Sequence, residues 1–128
     1  MRRGFLLFAL CVGGLFHGWN RAITRDGLAR YIDAHPKTFK ADVLLYTLGG
    51  FHGLFSHHDR AISMYERVVK SYPQSPHADA CQFGVASNWE KLKNFPRARQ
   101  EYEKYIEKYP EGRYAVSVKK NIEILKGI

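Results

Sequence analysis

Cysteine is scarce: Cys11 and Cys81 are the whole complement of the 128 residues. Two thiols cannot build a disulfide framework. Without a Cys-x-x-Cys pair the chain also lacks the spacing of zinc sites, iron–sulfur clusters and redox dithiols. Five prolines and eleven glycines are too few for a collagenous or low-complexity chain. Acids are short too, twelve Asp and Glu against twenty Lys and Arg, giving a formal charge of +8 and a pI near 9.6. Phosphate loops, Gly-x-Ser-x-Gly elbows and paired catalytic carboxylates are all missing. The chain therefore reads as non-enzymatic, with no cofactor implied. What it does have is 45% hydrophobic and 14% aromatic residues, enough to fold, and a length that suits a single small domain.

The surplus charge is uneven. Residues 1–40 hold seven of the Lys and Arg but only two of the Asp and Glu. Arg2 and Arg3 precede an uncharged run over residues 4–20, most apolar from Gly4 to Phe16. A basic start followed by a short apolar stretch is the layout of a signal anchor or signal peptide. As a helix the run would reach roughly 25 Å, a little less than a hydrocarbon core of about 30 Å. Residues 1–20 are accordingly expected to be such a segment, touching the membrane through residues 4–20, with residues 21–128 as the folded domain. A second origin is open. Residues 6–23 align with 44–62 after one gap, so that Leu6, Leu7, Leu10, Gly14, Leu15, Phe16, Arg21, Ala22 and Ile23 all recur. On that reading the run is the first helix of a repeat.

Internal repetition is the strongest signal. His35-Pro36, Tyr72-Pro73 and Tyr109-Pro110 recur every 37 residues, and the same offset carries Arg60-Ala61 onto Arg97-Ala98 and Tyr65-Glu66 onto Tyr102-Glu103. Apolar spacing inside each copy is helical: Ala61, Tyr65, Val68, Val69 and Tyr72 share one face, as do Ala98, Tyr102, Tyr105, Ile106 and Tyr109. Upstream helices are predicted over about 41–55 and 77–92, with stripes Leu44, Leu45, Leu48, Gly49 and Cys81, Val85, Ala86, Trp89. Ser75 before Pro76, Asp59, and Asn94 before Pro96 read as N-caps. Each Tyr-Pro or His-Pro pair ends a helix. A leading helix from about Asn20 to Ala34 and a last one from about Tyr114 to Leu125 complete the pattern. The predicted fold class is all-α.

These motifs resemble the tetratricopeptide repeat, with copies at about 42–75 and 79–112 and flanking half-repeats at 21–36 and 114–126. The resemblance implies tandem antiparallel helix hairpins stacked as a short right-handed superhelix behind an apolar N-terminal helix. Its packing positions fall on Gly49 and Ala86, Ala61 and Ala98, Tyr65 and Tyr102, and Pro73 and Pro110. Val68 and Tyr105 stand where the family usually has alanine, and the 37-residue period exceeds its usual spacing of about 34. Repeats ending in Tyr-Pro followed by Ser and Ala are similar to those of bacterial envelope proteins, such as the lipoproteins of outer-membrane assembly and the Tol-Pal coordinator. In the family, first-helix residues line a concave groove. That implies a protein partner held at Tyr46, Gly50, Gly53, Leu54, Phe83, Ser87, Glu90 and Lys91, with Lys120 and Asn121 from the last helix. The basic-and-asparagine clamp that some members use is absent, since Phe83 and Ser87 stand there.

The expected role is a scaffold or assembly subunit of a bacterial envelope or membrane complex. The alternative is a structural single-pass subunit whose N-terminal helix lies buried in a larger membrane complex. Orientation is contested: Arg2 and Arg3 favour a cytoplasmic N-terminus, while Arg21, Arg25 and Arg30 oppose export. The run's position next to Met1 and the envelope-like repeats favour a bacterial inner-membrane anchor with periplasmic repeats, or a secreted chain after cleavage. Nucleic acid is not expected, because much of the basic charge flanks the apolar run, where anionic headgroups explain it. His52, His57 and His58 are the candidates for a metal, but adjacent side chains in a turn diverge, so none is expected. Glu90, Glu101, Glu103 and Glu107 among Lys and Arg read as a solvated helix face, and Cys81 as a packing residue.

Overall fold

The computed structural model describes residues 27–35 and 40–128, and these contain no strand. Six helices are found among them: α1 Gly27–Ala34, α2 Ala41–Leu54, α3 His58–Ser71, α4 Ala78–Lys91, α5 Phe95–Lys108 and α6 Ala115–Lys126. The chain divides into two units, residues 1–39 and 40–128. In the first, α1 ends one residue short of the His35-Pro36 stop, and the His35 ring stacks on Tyr31 with centroids 4.4 Å apart. The proposed segment 1–20, its boundary at 20/21 and the start of the leading helix lie outside the described residues. Among the described residues no helix is long and apolar enough to cross a membrane.

The second unit is built by repetition of the same local chemistry. At the end of α2 the Ser56 N–H bonds Gly53 O and the His57 N–H bonds His52 O. At the end of α4 the Lys93 N–H bonds Glu90 O and the Asn94 N–H bonds Trp89 O, the same bonds 37 residues on. Each closure needs a left-handed residue, which is Ser56 (φ 59°) in one and Lys93 (φ 63°) in the other. Asn94 then caps α5, its side chain accepting the Arg97 N–H at 3.2 Å with Pro96 in the first turn. The Tyr72 and Tyr109 N–H groups close α3 and α5 on Val68 O and Tyr105 O before each proline.

Two expected caps move. The His57–His52 bond fixes the turn register so that His57 occupies the cap position of α3, without a side-chain cap bond, and Asp59 lies inside the first turn. Ser75 does not cap α4, which begins at Ala78 after His77. Its hydroxyl instead accepts the His77 N–H at 3.2 Å and donates to Asp42 Oδ2 at 2.6 Å, tying the inter-repeat turn to the start of α2.

Packing is sequential: α2 on α3, α3 on α4, α4 on α5, α5 on α6. Ala61 and Ala98 are fully buried, which lets the helices of each hairpin approach closely. Burial of Tyr102, Tyr105, Val118 and Leu125 in one cluster contributes about 1.5–3 kcal/mol per side chain. Tyr105 fits where alanine is usual because its hydroxyl accepts the Tyr114 N–H at 3.1 Å, and Gly112 leaves room where a Cβ would strike that hydroxyl. Two expectations fail. Leu44, which helical spacing puts in the apolar stripe of α2, is exposed. Glu101 is buried rather than solvated, because Gln82 Nε2 donates to its carboxylate at 3.1 Å while Arg97 and Lys104 pair with it at 3.3 and 2.8 Å. Cys81 is fully buried, and burial pushes its thiol up to about 12.

Candidate functional site

The site is organised by two tyrosines at equivalent places in the two hairpins. The Tyr65 ring lies between Gly49 of α2 and Gly84 of α4: a Cβ built on either would fall 2.5 or 2.7 Å from ring carbons. One repeat later the corresponding set is Ala86, Tyr102 and Asn121. The Tyr102 hydroxyl donates to Glu90 Oε2 at 2.9 Å and accepts from Asn121 Nδ2 at 3.1 Å. Burial, reinforced by that bond to Glu90, holds the Tyr102 hydroxyl well above the ordinary tyrosine range. Burial pushes the Tyr65 hydroxyl up to about 12. Both stay protonated donors at neutral pH.

Two adjoining hollows open over these rings. One, of about 270 Å³, is lined by Tyr46, Gly50, Gly53, Leu54, Tyr65, Ala80, Phe83, Gly84, Ser87, Asn88, Lys91 and Tyr114. The other, of about 340 Å³, is lined by Phe83, Ser87, Glu90, Lys91, Lys93, Phe95, Tyr102 and Asn121. Phe83, Ser87 and Lys91, one turn apart along α4, form the ridge between them. Tyr46 and Phe83 are braced from the following turn by stacking on His77 and Tyr114, with centroids 4.6 and 4.5 Å apart. Rigid aromatic rings beside bare glycine backbone, with polar groups at the rim, form the kind of surface on which protein partners anchor.

Of the ten residues predicted for the groove, nine line these hollows. Lys120 does not. It is exposed on α6, because neighbouring helix positions point about 100° apart and it is Asn121 that faces Tyr102. Gly50 and Gly53 are not closed over by another described element: a Cβ at either would make only ordinary contacts, at 3.7 Å to Tyr65 Oη and 3.8 Å to Asn88 Oδ1. The tyrosine hydroxyls, Gly84, Asn88, Lys93, Phe95 and Tyr114 escaped the sequence reading. The 37-residue offset would have located Tyr114 from His77. Lys93 comes from the hairpin turn and Phe95 from the first residue of α5, neither of which helical periodicity places.

The three histidines take separate roles. His58 Nδ1 lies 2.8 Å from Asn88 Oδ1, and the Asn88 amide donates to Gly84 O at 2.8 Å, so the histidine bridges the two repeats. His52 is buried, its ring 5.9 Å from that of the exposed His57. Among the described residues no three His, Cys, Asp or Glu side chains gather as a metal site.

Hairpins of matched 14-residue helices stacked in sequence, with a lined hollow on each, define a helical-repeat protein. The chain belongs to the tetratricopeptide repeat family, whose model matches residues 45–75 and 80–112. This is a non-catalytic fold that commonly serves protein–protein interaction. No curated protein and no solved structure is similar enough to the chain to register as a match.

Proposed function

We propose that this chain holds a peptide segment, or a protruding segment of a larger complex's subunit, along the two hollows of its repeats. It acts as a scaffold or assembly subunit of a bacterial envelope or membrane complex and performs no chemistry of its own. One observation carries the reading: Tyr46 and Phe83, equivalent positions of the two repeats, each stand braced at a hollow of side-chain size. A segment crossing the Phe83 ridge would meet both hollows in turn. The membrane part of the proposal rests on the sequence. Arg2 and Arg3 before the uncharged run at 4–20 suit an anchor with its N-terminus in the cytoplasm, which carries the repeats into the periplasm.

Two experiments test it. Partners cross-linked to the full chain in cells are expected to be lost on Phe83→Ala or Tyr46→Ala while circular dichroism stays helical. Retention by both variants would move the binding surface off the hollows. For topology, alkaline phosphatase fused after Ile128 is expected to be active. Fluorescence from a reporter that matures only in the cytoplasm would defeat the periplasmic placement.

A further inference from the structure

The two hollows are one design built twice, and they differ at one functional point. The 37-residue offset relates Gly53 to Glu90, Gly84 to Asn121 and Tyr65 to Tyr102. In the α4 hollow the tyrosine hydroxyl is closed by Glu90 and Asn121, at 2.9 and 3.1 Å. In the α2 hollow both closing side chains are glycines. Tyr65 is more than nine-tenths buried and lines that hollow, and among the described residues its hydroxyl makes no hydrogen bond. That hydroxyl is a donor facing the open hollow, with no acceptor supplied by the described part of the chain. The space that a carboxylate occupies in the other hollow is open here: nothing nearer than Asn88 Oδ1, at 3.8 Å, meets a Cβ at Gly53. Among the described residues Lys91 is the only charged side chain lining this hollow, and it forms no ion pair with any of them.

We infer that the α2 hollow takes an Asp or Glu side chain of the bound segment, whose carboxylate accepts the Tyr65 hydroxyl and pairs with Lys91. The partner thus supplies the group that Glu90 supplies within the chain itself one repeat later. This rests on the reading that the hollows hold a peptide, and it adds the chemistry that selects one. Hydrogen bonds to a charged acceptor are the strong kind, so the acid is the specificity element and the aromatic ridge the general grip.

The probe is a random dodecapeptide phage library panned on the full chain, with fluorescein-labelled winners measured by anisotropy. Winners whose binding Phe83→Ala abolishes are expected to share an acidic residue. Replacing it by its amide should weaken binding roughly tenfold to a hundredfold in the wild type and little in Tyr65→Phe. Gly53→Glu, which installs the chain's own carboxylate, is expected to weaken the same peptides at least about tenfold without lowering the thermal midpoint. Phe83-dependent peptides that need no acid and ignore both substitutions would overturn this inference and leave the peptide-binding reading standing. A library giving no Phe83-dependent peptide would overturn both.

Discussion

The Tyr65 ring shows how a single glycine can be obligatory while its neighbour is not. Gly49 lies where a Cβ would sit 2.5 Å from a Tyr65 ring carbon, and that ring is backed by Gly84 and cannot retreat. A Cβ at Gly50 would make only an ordinary contact, at 3.7 Å to Tyr65 Oη. Gly49→Ala is therefore expected to destabilise by about 1–3 kcal/mol through overpacking. Gly50→Ala should gain up to about 1 kcal/mol, because alanine is the better helix former. Urea titration of both variants checks the sign, and a neutral Gly49→Ala would deny the sandwich. A second residue-scale test lies at Gln82 and Glu101. One repeat earlier their places are taken by Leu45 and Met64, both buried, so the same interface is built once from apolar and once from polar partners. Gln82→Leu takes one donor from the buried Glu101 carboxylate, and Glu101→Met leaves Gln82 only the backbone carbonyl of residue 101 as acceptor, so either single change is expected to cost about 1 kcal/mol. The double variant copies the first repeat and should recover most of that loss in a double-mutant cycle. Strict additivity would show that the two side chains do not depend on each other.

At the scale of elements, most of the helical order could be read from spacing alone. X-Pro pairs stopped α3 and α5, and Asn94 with Pro96 announced α5, because those residues act on backbone within one turn of themselves. The misplaced caps, Asp59 and Ser75, share a physical cause. A cap is decided by which N–H groups a turn leaves unpaired, and the turn bonds to His52 O and Ser75 O had already fixed that. Glu101 was misread because charge on a helix face reads as solvent until the neighbour's Gln82 is known. Nine of the residues expected in the groove line the hollows because the repeat transfers side-chain direction along with sequence, while Lys120 lies off them because one helix position changes the facing side. The hairpin turns hold a further legible defect: Ser56 adopts φ 59° without being glycine. A left-handed conformation costs an ordinary residue roughly 1–2 kcal/mol. Ser56→Gly is expected to recover about 1 kcal/mol of it net of glycine's greater entropy when unfolded, measured as a higher thermal midpoint. A fall in midpoint would mean the Ser56 side chain contributes more than its backbone loses.

Across residues 40–128 stability is passed from neighbour to neighbour, since each helix packs mainly on the next in sequence. Besides the apolar contacts, each inter-repeat turn is tethered to the first helix of the preceding hairpin. Ser75 donates to Asp42 across the first junction, and Arg113 reaches Asp79, the residue 37 positions after Asp42, across the second at 3.2 Å. At the first tether the Ser75 hydrogen bond, against some burial, holds the Asp42 carboxyl below its ordinary value of 3.8. A carboxylate depressed in the folded state stabilises the fold above its unfolded pKa, and that stability is lost as pH falls through the folded value. Ser75→Ala is thus expected to cost about 1 kcal/mol near pH 7. The difference between variant and wild type should narrow as pH drops below about 4, where the Asp42 carboxylate takes up its proton in both proteins. Chemical denaturation of the pair at neutral and acid pH reads it directly. A gap that stays constant with pH would place the serine's contribution in its own turn, through the His77 N–H, and remove the junction tether from the forces that join the repeats.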